Sequence, residues 1–191
     1  MFETKKCYNI RKNRGDFEKF LNGKGIDIGG GPDCLKIPHG TVQLWDLKDG
    51  DARFMRGVED NTYDFVYSSH CLEHVTHVDQ TLENWIRILK PGGHLYIVVP
   101  DYQLYEKCIW PPIFNQDHKF TFSLNHTRDQ VRRMNHYNIQ DNLIPILNKL
   151  NCEVLFVKLE DDNYDYNRGG NDQTMENALA QICIIARKKI I

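Results

Sequence analysis

The chain has 191 residues, a formal net charge of −2 and 41% hydrophobic residues. That length makes residues 1–191 one domain by default, able to bury most of the surface its unfolded form exposes. The near-neutral charge disfavours a nucleic-acid substrate, which calls for a basic face, and no apolar run reaches the roughly twenty residues of a membrane span.

The N-terminal Met1-Phe2-Glu3-Thr4-Lys5-Lys6 leads into a polar stretch without the apolar core of a signal peptide. Cys7, Cys34, Cys71, Cys108, Cys152 and Cys183 are scattered, with no CxxC pair. Such usage argues against structural zinc and a disulfide framework, and fits a reducing cytoplasm.

In chain order, short apolar runs with branched or aromatic residues predict strands at Gly25–Ile28, Thr41–Trp45, Tyr63–Tyr67, His94–Val99, Cys152–Leu159 and Ala178–Ala186. Only twelve residues, Gly29 to Gly40, separate the first two runs, and they include Pro32 and Pro38, leaving room for one helical turn or none. From His77 to Lys90 an amphipathic helix is expected. Val78, Leu82, Trp85, Ile86 and Leu89 share one face and Asp79, Glu83 and Arg87 the other. Thr76 and Asp79 resemble a cap, and Lys90-Pro91-Gly92-Gly93 is a stop signal. Alternating strands and helices imply an α/β fold, a mostly parallel sheet with helices on both faces. A polar loop from Glu160 to Glu176 joins the last two strands, too poor in apolar residues for a crossover helix, so an antiparallel last strand is expected.

The chemistry concentrates at Ile26-Asp27-Ile28-Gly29-Gly30-Gly31, with Asp46 nineteen positions after Asp27 at the end of the next apolar run. A strand ending in an acid, a glycine turn and a second acid about twenty residues on suit a nucleoside-bearing cofactor lying across the strand ends. A dinucleotide site would carry Gly-x-Gly-x-x-Gly; Gly29-Gly30-Gly31-Pro32-Asp33-Cys34 lacks the third glycine.

These segments resemble the class I S-adenosylmethionine-dependent methyltransferases, in the small-molecule group called type 11. The resemblance rests on five ordered motifs: the Asp27–Gly31 loop with Asp46, Asp51-Ala52, Tyr63–Ser68, Leu72-Glu73-His74, and Leu89-Lys90-Pro91-Gly92-Gly93. It implies a Rossmann-like methyltransferase fold with a seven-stranded sheet, and S-adenosyl-L-methionine as cofactor. It assigns cofactor contacts to Asp27, Gly29, Gly30, Gly31, Asp46, Leu47, Asp51, Ala52, Ser68 and His70. Asp27 would help hold the ammonium, Asp46 the ribose hydroxyls, and Asp51 and the Ala52 amide the adenine.

Two other signals are set aside at this stage. His70-Cys71-Leu72-Glu73-His74 spells the inverted zinc-protease signature H-x-x-E-H, but that motif wants a long helix and a third ligand downstream, so no metal is expected. Asp161 to Asp172 imitates a calcium loop without its central glycine or final glutamate. Arg132-Arg133 and Arg187-Lys188-Lys189 read as solvated surface.

After the fifth predicted element, residues 101–125 crowd Tyr102, Tyr105, Trp110, Phe114, Phe120 and Phe122 around Asn115, Asp117, His118 and Lys119. In the family this region covers the acceptor; rings merely extending the core is the alternative. The Trp110–Lys119, Asp161–Tyr166 and Asp172–Ile182 patterns resemble a subgroup associated with surface-polysaccharide and glycan biosynthesis. The expected activity is therefore O-methylation of a small acceptor, a sugar or nucleotide-sugar, with His118, His70, His74 and Asp101 as candidate bases. N-methylation of an amino sugar, or a non-catalytic subunit of a glycan-assembling complex, are the rivals. Neither nucleic acid nor membrane is an expected partner, and a homo-oligomer is left open.

Overall fold

The computed structural model describes residues 3–190. Six strands form the main sheet: β1 (Gly23–Ile28), β2 (Gly40–Trp45), β3 (Tyr63–Ser69), β4 (Leu89–Pro100), β7 (Cys152–Glu160) and β8 (Gln181–Lys188), with β5 (Thr121–Ser123) and β6 (His136–Asn138) pairing separately. The order is β2-β1-β3-β4-β8-β7. β1 runs parallel to β2 and β3, and β3 to β4, whereas β8 is antiparallel to both β4 and β7.

The sheet thus has six strands rather than the seven the resemblance implied. Residues 46–62 connect β2 to β3 through turns alone. A parallel crossover by itself consumes about a dozen residues, so no further strand with its own crossover fits there. β2 is left as the edge, with Gly40, Thr41 and Gln43 exposed. The expectation of at most one helical turn between β1 and β2 holds: that link contains a single 3-10 turn at Gly31–Asp33.

Six short α-helices complete the fold: α1 (Glu3–Lys6), α2 (Tyr8–Arg14), α3 (Asp16–Lys19), α4 (Val78–Arg87), α5 (Arg128–Val131) and α6 (Ile144–Lys149). Both sheet faces are covered. Along β4, Leu95, Ile97 and Val99 face one layer, Tyr96 and Val98 the other, the period of a strand buried on both sides. The first layer receives Val78, Leu82, Trp85 and Ile86 of α4 and Leu147 of α6. The second receives Phe17 of α3 with Leu21 and Leu35.

Helix α4 begins one residue later than expected and has no Thr76 cap. His77 is the N-cap residue without a side-chain bond, and the Thr76 hydroxyl instead meets His77 Nδ1 at 2.9 Å. Pro91, Gly92 and Gly93 do end the helical path, yet they are absorbed into β4, whose pairing with β3 shifts register between Tyr63 and Phe65. The basic clusters are less solvated than their sequence suggests. The Arg133 guanidinium lies over the Tyr102 and Trp110 rings, and Lys188 Nζ donates to the Ile86 and Leu89 carbonyls at 3.0 and 2.7 Å.

Topology sets the cleft. From β1 the chain moves outward to β2 and returns to β3 on the far side of β1, so the order reverses there. In open α/β sheets the crevice at such a reversal, beyond the carboxyl ends of the strands, is where ligands sit.

Candidate active-site cleft

The turns leaving β1 and β3 face each other across that reversal. Gly29 (φ +82°) bends the chain immediately after β1, and a Cβ there would lie 2.7 Å from Cys71 Sγ in the opposite turn. Gly30 covers Asp27: its Cβ would stand 2.8 Å from the Asp27 Cγ. Any side chain at these two positions would therefore fill the floor of the cleft or unseat the acid below it.

Asp27 is fully buried. Its Oδ2 accepts from the Leu35 amide at 2.6 Å, while its Oδ1 has no hydrogen-bond partner among the described residues. Burial pushes this carboxyl up to about 7, against the lowering effect of the Leu35 hydrogen bond. A buried acceptor without a donor, under a bare glycine turn, fits a ligand ammonium reached directly or through water.

Asp46 follows β2 and stands beside the same loop, its Oδ2 3.6 Å from where a Gly31 Cβ would be. Its Oδ1 accepts from the Leu47 amide at 2.7 Å, and the Leu47 side chain is 93% exposed. Asp51 holds an unexpected partner. Both its oxygens accept from Arg53, at 2.6 to 3.0 Å, so an adenine amino group would have to share or displace that pair. The Ala52 carbonyl accepts from Trp85 Nε1 at 2.9 Å, tying this turn to α4.

Two expected site residues are not in the cleft. Ser68 is buried and donates to the Ile28 carbonyl at 3.0 Å, clamping β3 to β1; its neighbour Ser69 lines the cavity instead. Asp101 is also buried, with Oδ1 accepting from the Gln103 and Leu104 amides at 3.0 and 2.9 Å. Its carboxyl caps the turn after β4, and burial pushes it up to about 6.

The three histidines do converge. One cavity of about 240 Å³ is lined by Gly29, Gly30, Gly31, Ser69, His70, Glu73, His74, Tyr105, Asn115 and His118, with Glu3 and Thr4 of α1 over it. The backbone explains how distant residues meet. The amides of Lys119 and Phe120 donate to the Glu73 carbonyl at 2.8 and 3.1 Å, stitching residues 117–120 to the 3-10 turn Leu72–His74. His118 is thereby placed against His74, ring centroids 4.8 Å apart and nearly perpendicular. Burial lowers the proton affinity of His74, and the nearby Glu73 partly opposes that effect.

Residues 101–125 divide between the two readings of their rings. Tyr105, Asn115 and His118 face the cavity, whereas Phe120 and Phe122 pack into the main core. Glu73 had been read only as part of a motif, and its position between two histidines was the available signal. Glu106, whose Oε1 lies 2.5 Å from His118 Nδ1, carried none. The 3-10 turn Leu72–His74 within the H-x-x-E-H segment is unlike the helix of the protease motif, and His118 comes from outside the segment to stand with Glu73 and His74. A larger cavity of about 560 Å³ lies beside α1 and α2, lined by Thr4, Tyr8, Arg11 and Cys34 among others. It does not reach Gly29–Gly31, so the cofactor assignment stays with the smaller cleft. All six cysteines are free, and no helix among the described residues is long and apolar enough to cross a membrane.

Comparisons with known proteins bear on the fold and the cofactor. The family model described as "Methyltransferase domain" matches residues 32–97. Demethylmenaquinone methyltransferase of Tropheryma whipplei (strain Twist) is 31% identical over 101 residues, which cover 46% of this chain and 40% of that protein. The chain thus spans about two fifths of the length of the curated relatives it matches. Among solved structures, a S-adenosylmethionine-dependent methyltransferase from Mesorhizobium loti superposes with a TM-score of 0.57 at 13% identity, covering 95% of this chain and 97% of that one. A S-adenosylmethionine-dependent methyltransferase from Methanosarcina mazei gives 0.56 at 15% identity, with 89% and 94% covered. The fold is therefore the Rossmann-like methyltransferase fold, with a mostly parallel sheet interrupted by one antiparallel strand, and the matches support S-adenosylmethionine as the cofactor.

Proposed function

We propose that the protein is a S-adenosylmethionine-dependent methyltransferase acting on a small polar acceptor, with a sugar or nucleotide-sugar hydroxyl as the best candidate. One observation carries this reading: the Gly29–Gly31 turn, with Asp27 buried beneath it, and the Glu73/His74/His118 group line a single cleft at the sheet's reversal point. When bound, the cofactor supplies a methyl group on a positively charged sulfur, primed for in-line displacement.

The chain's own residues divide the remaining work. Gly29–Gly31, Asp27 and Asp46 bind and orient the donor, and the Asp51–Ala52 turn borders its nucleoside end. Across the cleft, His70, His74, His118 and Asn115 present nitrogen and oxygen atoms to the acceptor. Alignment of two reactants can supply roughly 7–11 kcal/mol of a barrier in favourable systems. Removing the proton of a hydroxyl acceptor falls to the histidine cluster, a step commonly contributing about 10²–10⁴-fold.

The Tropheryma whipplei relatives are named for demethylmenaquinone, which makes a quinone-type acceptor the second reading. Glu73, Asn115 and three imidazoles favour a hydroxylated acceptor over an apolar one. The resemblance of Trp110–Lys119 and Asp161–Tyr166 to glycan-associated methyltransferases points the same way. The unpaired cysteines suit a reducing, cytoplasmic site of action.

The test combines calorimetric titration with S-adenosylhomocysteine and a mass-spectrometric screen for label transfer to nucleotide sugars, amino sugars and quinols. Binding of the product nucleoside with label on a sugar oxygen is expected. Tight NAD binding with no signal from either methyl-donor ligand would refute the cofactor assignment, and label confined to quinols would refute the acceptor class.

A further inference from the structure

We propose that Glu73, His74 and His118, with His70 alongside, form a binding site for a divalent transition-metal ion at the acceptor end of the cleft. Glu73 is completely buried, and neither of its carboxylate oxygens has a hydrogen-bond partner among the described residues. Three imidazole nitrogens surround one of those oxygens. His70 Nδ1 lies 3.7 Å from Glu73 Oε1, His74 Nε2 3.8 Å and His118 Nε2 3.8 Å. The ligand atoms of Glu73, His74 and His118 all lie within 4.8 Å of one another.

The outer nitrogen of each ring decides what the inner one can do. His70 Nε2 meets Gln181 Oε1 at 3.0 Å, His74 Nδ1 the Asp117 carbonyl at 3.3 Å, and His118 Nδ1 the Glu106 carboxylate at 2.5 Å. The Gln181 amide is oriented independently, because its Nε2 donates to Glu160 at 2.6 Å. All three partners are acceptors, so each outer nitrogen can donate, and a ring in its neutral form then turns the lone pair of its inner nitrogen toward Glu73. Lone pairs from three imidazoles then converge on a bare carboxylate, an arrangement that repels unless a cation stands between them.

Distances discriminate a proton from a metal. An imidazolium donating to a carboxylate closes to about 2.7–2.9 Å, well short of the 3.7–3.8 Å found here. Ligands about 2.0–2.2 Å from a single tetrahedral ion stand roughly 3.3–3.6 Å apart, so the Glu73–imidazole contacts need shifts of a few tenths of an ångström, while the widest separation in the group, 4.8 Å, must close by roughly 1.2–1.5 Å. The largest adjustment falls to His74, whose side chain is 33% exposed and has room to move. The outer bonds are the kind that orient metal-ligating histidines through backbone carbonyls and carboxylates. A nitrogen-rich set with one carboxylate suits Zn²⁺ or a neighbouring divalent ion rather than Mg²⁺ or Ca²⁺.

Gly29–Gly31 line the same cavity, so with Glu73, His74 and His118 as the three ligands and His70 outside the set, the fourth position would face the donor. An acceptor hydroxyl placed there would be polarised by the ion and would pass its proton to His70, the imidazole of the cavity outside the ligand set. His74 and His118 then act as ligands and His70 as the base, and that consequence alone rests on the methyltransferase reading; ion binding is measured without it.

Full-length protein stripped with a chelator is titrated with Zn²⁺, and separately with S-adenosylhomocysteine. One Zn²⁺ per chain is expected, with a Co²⁺-loaded form showing the strong visible bands of a tetrahedral site. Glu73→Gln and His74→Ala should each weaken Zn²⁺ at least ~10–100-fold, since even outer-shell changes cost that much. His94→Ala, remote from the cleft, should leave it unchanged. His74 is partly exposed, so its variant stays readable if Glu73→Gln does not fold. Failure of folded wild-type protein to take up stoichiometric Zn²⁺ overturns the site, as does equal affinity in the His74→Ala variant. S-adenosylhomocysteine binding without zinc would sink only this inference, and zinc binding without the nucleoside only the cofactor assignment.

Discussion

Replacing Asp27 with asparagine should stabilise the ligand-free protein at alkaline pH while weakening its hold on the cofactor. The Asp27 carboxyl is fully buried and pushed up to about 7 by that burial, against about 3.9 in an unfolded chain. Because the folded value is raised, the native state keeps a proton that the unfolded state has already released. Stability therefore falls as pH rises from about 4 to about 7 and stays reduced above. Three pH units of difference correspond to about 4 kcal/mol at 1.36 kcal/mol per unit. Asparagine can keep the 2.6 Å bond from Leu35 through its oxygen, but its amide nitrogen then occupies the place of the partnerless Oδ1, costing about 1–3 kcal/mol. The net gain at pH 8 is about 1–3 kcal/mol. Urea unfolding of both proteins at pH 4, 5.5, 7 and 8 measures it. Asp101 is raised in the same direction by burial, but it contributes equally to both proteins and cancels in the difference. Parallel stability curves for wild type and variant across pH 4–8 would refute the assignment of the charge penalty to Asp27. Saturating S-adenosylhomocysteine should flatten the wild-type slope, because its ammonium would supply the missing donor.

Asp46→Ala should weaken S-adenosylhomocysteine binding by on the order of 2–4 kcal/mol, the value of charge-assisted hydrogen bonds to two hydroxyls; an unchanged dissociation constant by calorimetry would remove Asp46 from the site. Gly29→Ala forces a side chain into φ +82° with its Cβ 2.7 Å from Cys71 Sγ, so it should lower the melting temperature and abolish nucleoside binding together. Trp85→Ala empties a fully buried position of α4 and breaks the 2.9 Å bond to the Ala52 carbonyl; a loss of about 3–5 kcal/mol in urea unfolding is expected, and a loss under 1 kcal/mol would mean the helix packs differently.

Local chemistry in the sequence was enough to specify the alternating strands, the helix (expected over His77–Lys90, found at Val78–Arg87), the glycine turn after β1 and the antiparallel end of the sheet. Each depends on signals carried within a few residues: period-two or helical apolar spacing, a Gly-Gly-Gly bend, and a polar link too thin for a crossover helix. The strand count was not legible in that way, because it depends on whether residues 46–62 have room for another crossover. Burial likewise sorted the acids. Asp27 and Asp46 both stand against the glycine turn, but Asp101 and Ser68, equally plausible by type, are turned to backbone groups that only the folded chain brings near. The histidine cluster shows the division most clearly. Sequence placed His70, Glu73 and His74 on one turn, whereas His118 joins them through the backbone bonds of Lys119 and Phe120 to Glu73. A contact across forty-four positions between His74 and His118 has no local signature, since it is fixed by the packing of a loop on a turn rather than by the periodicity of either.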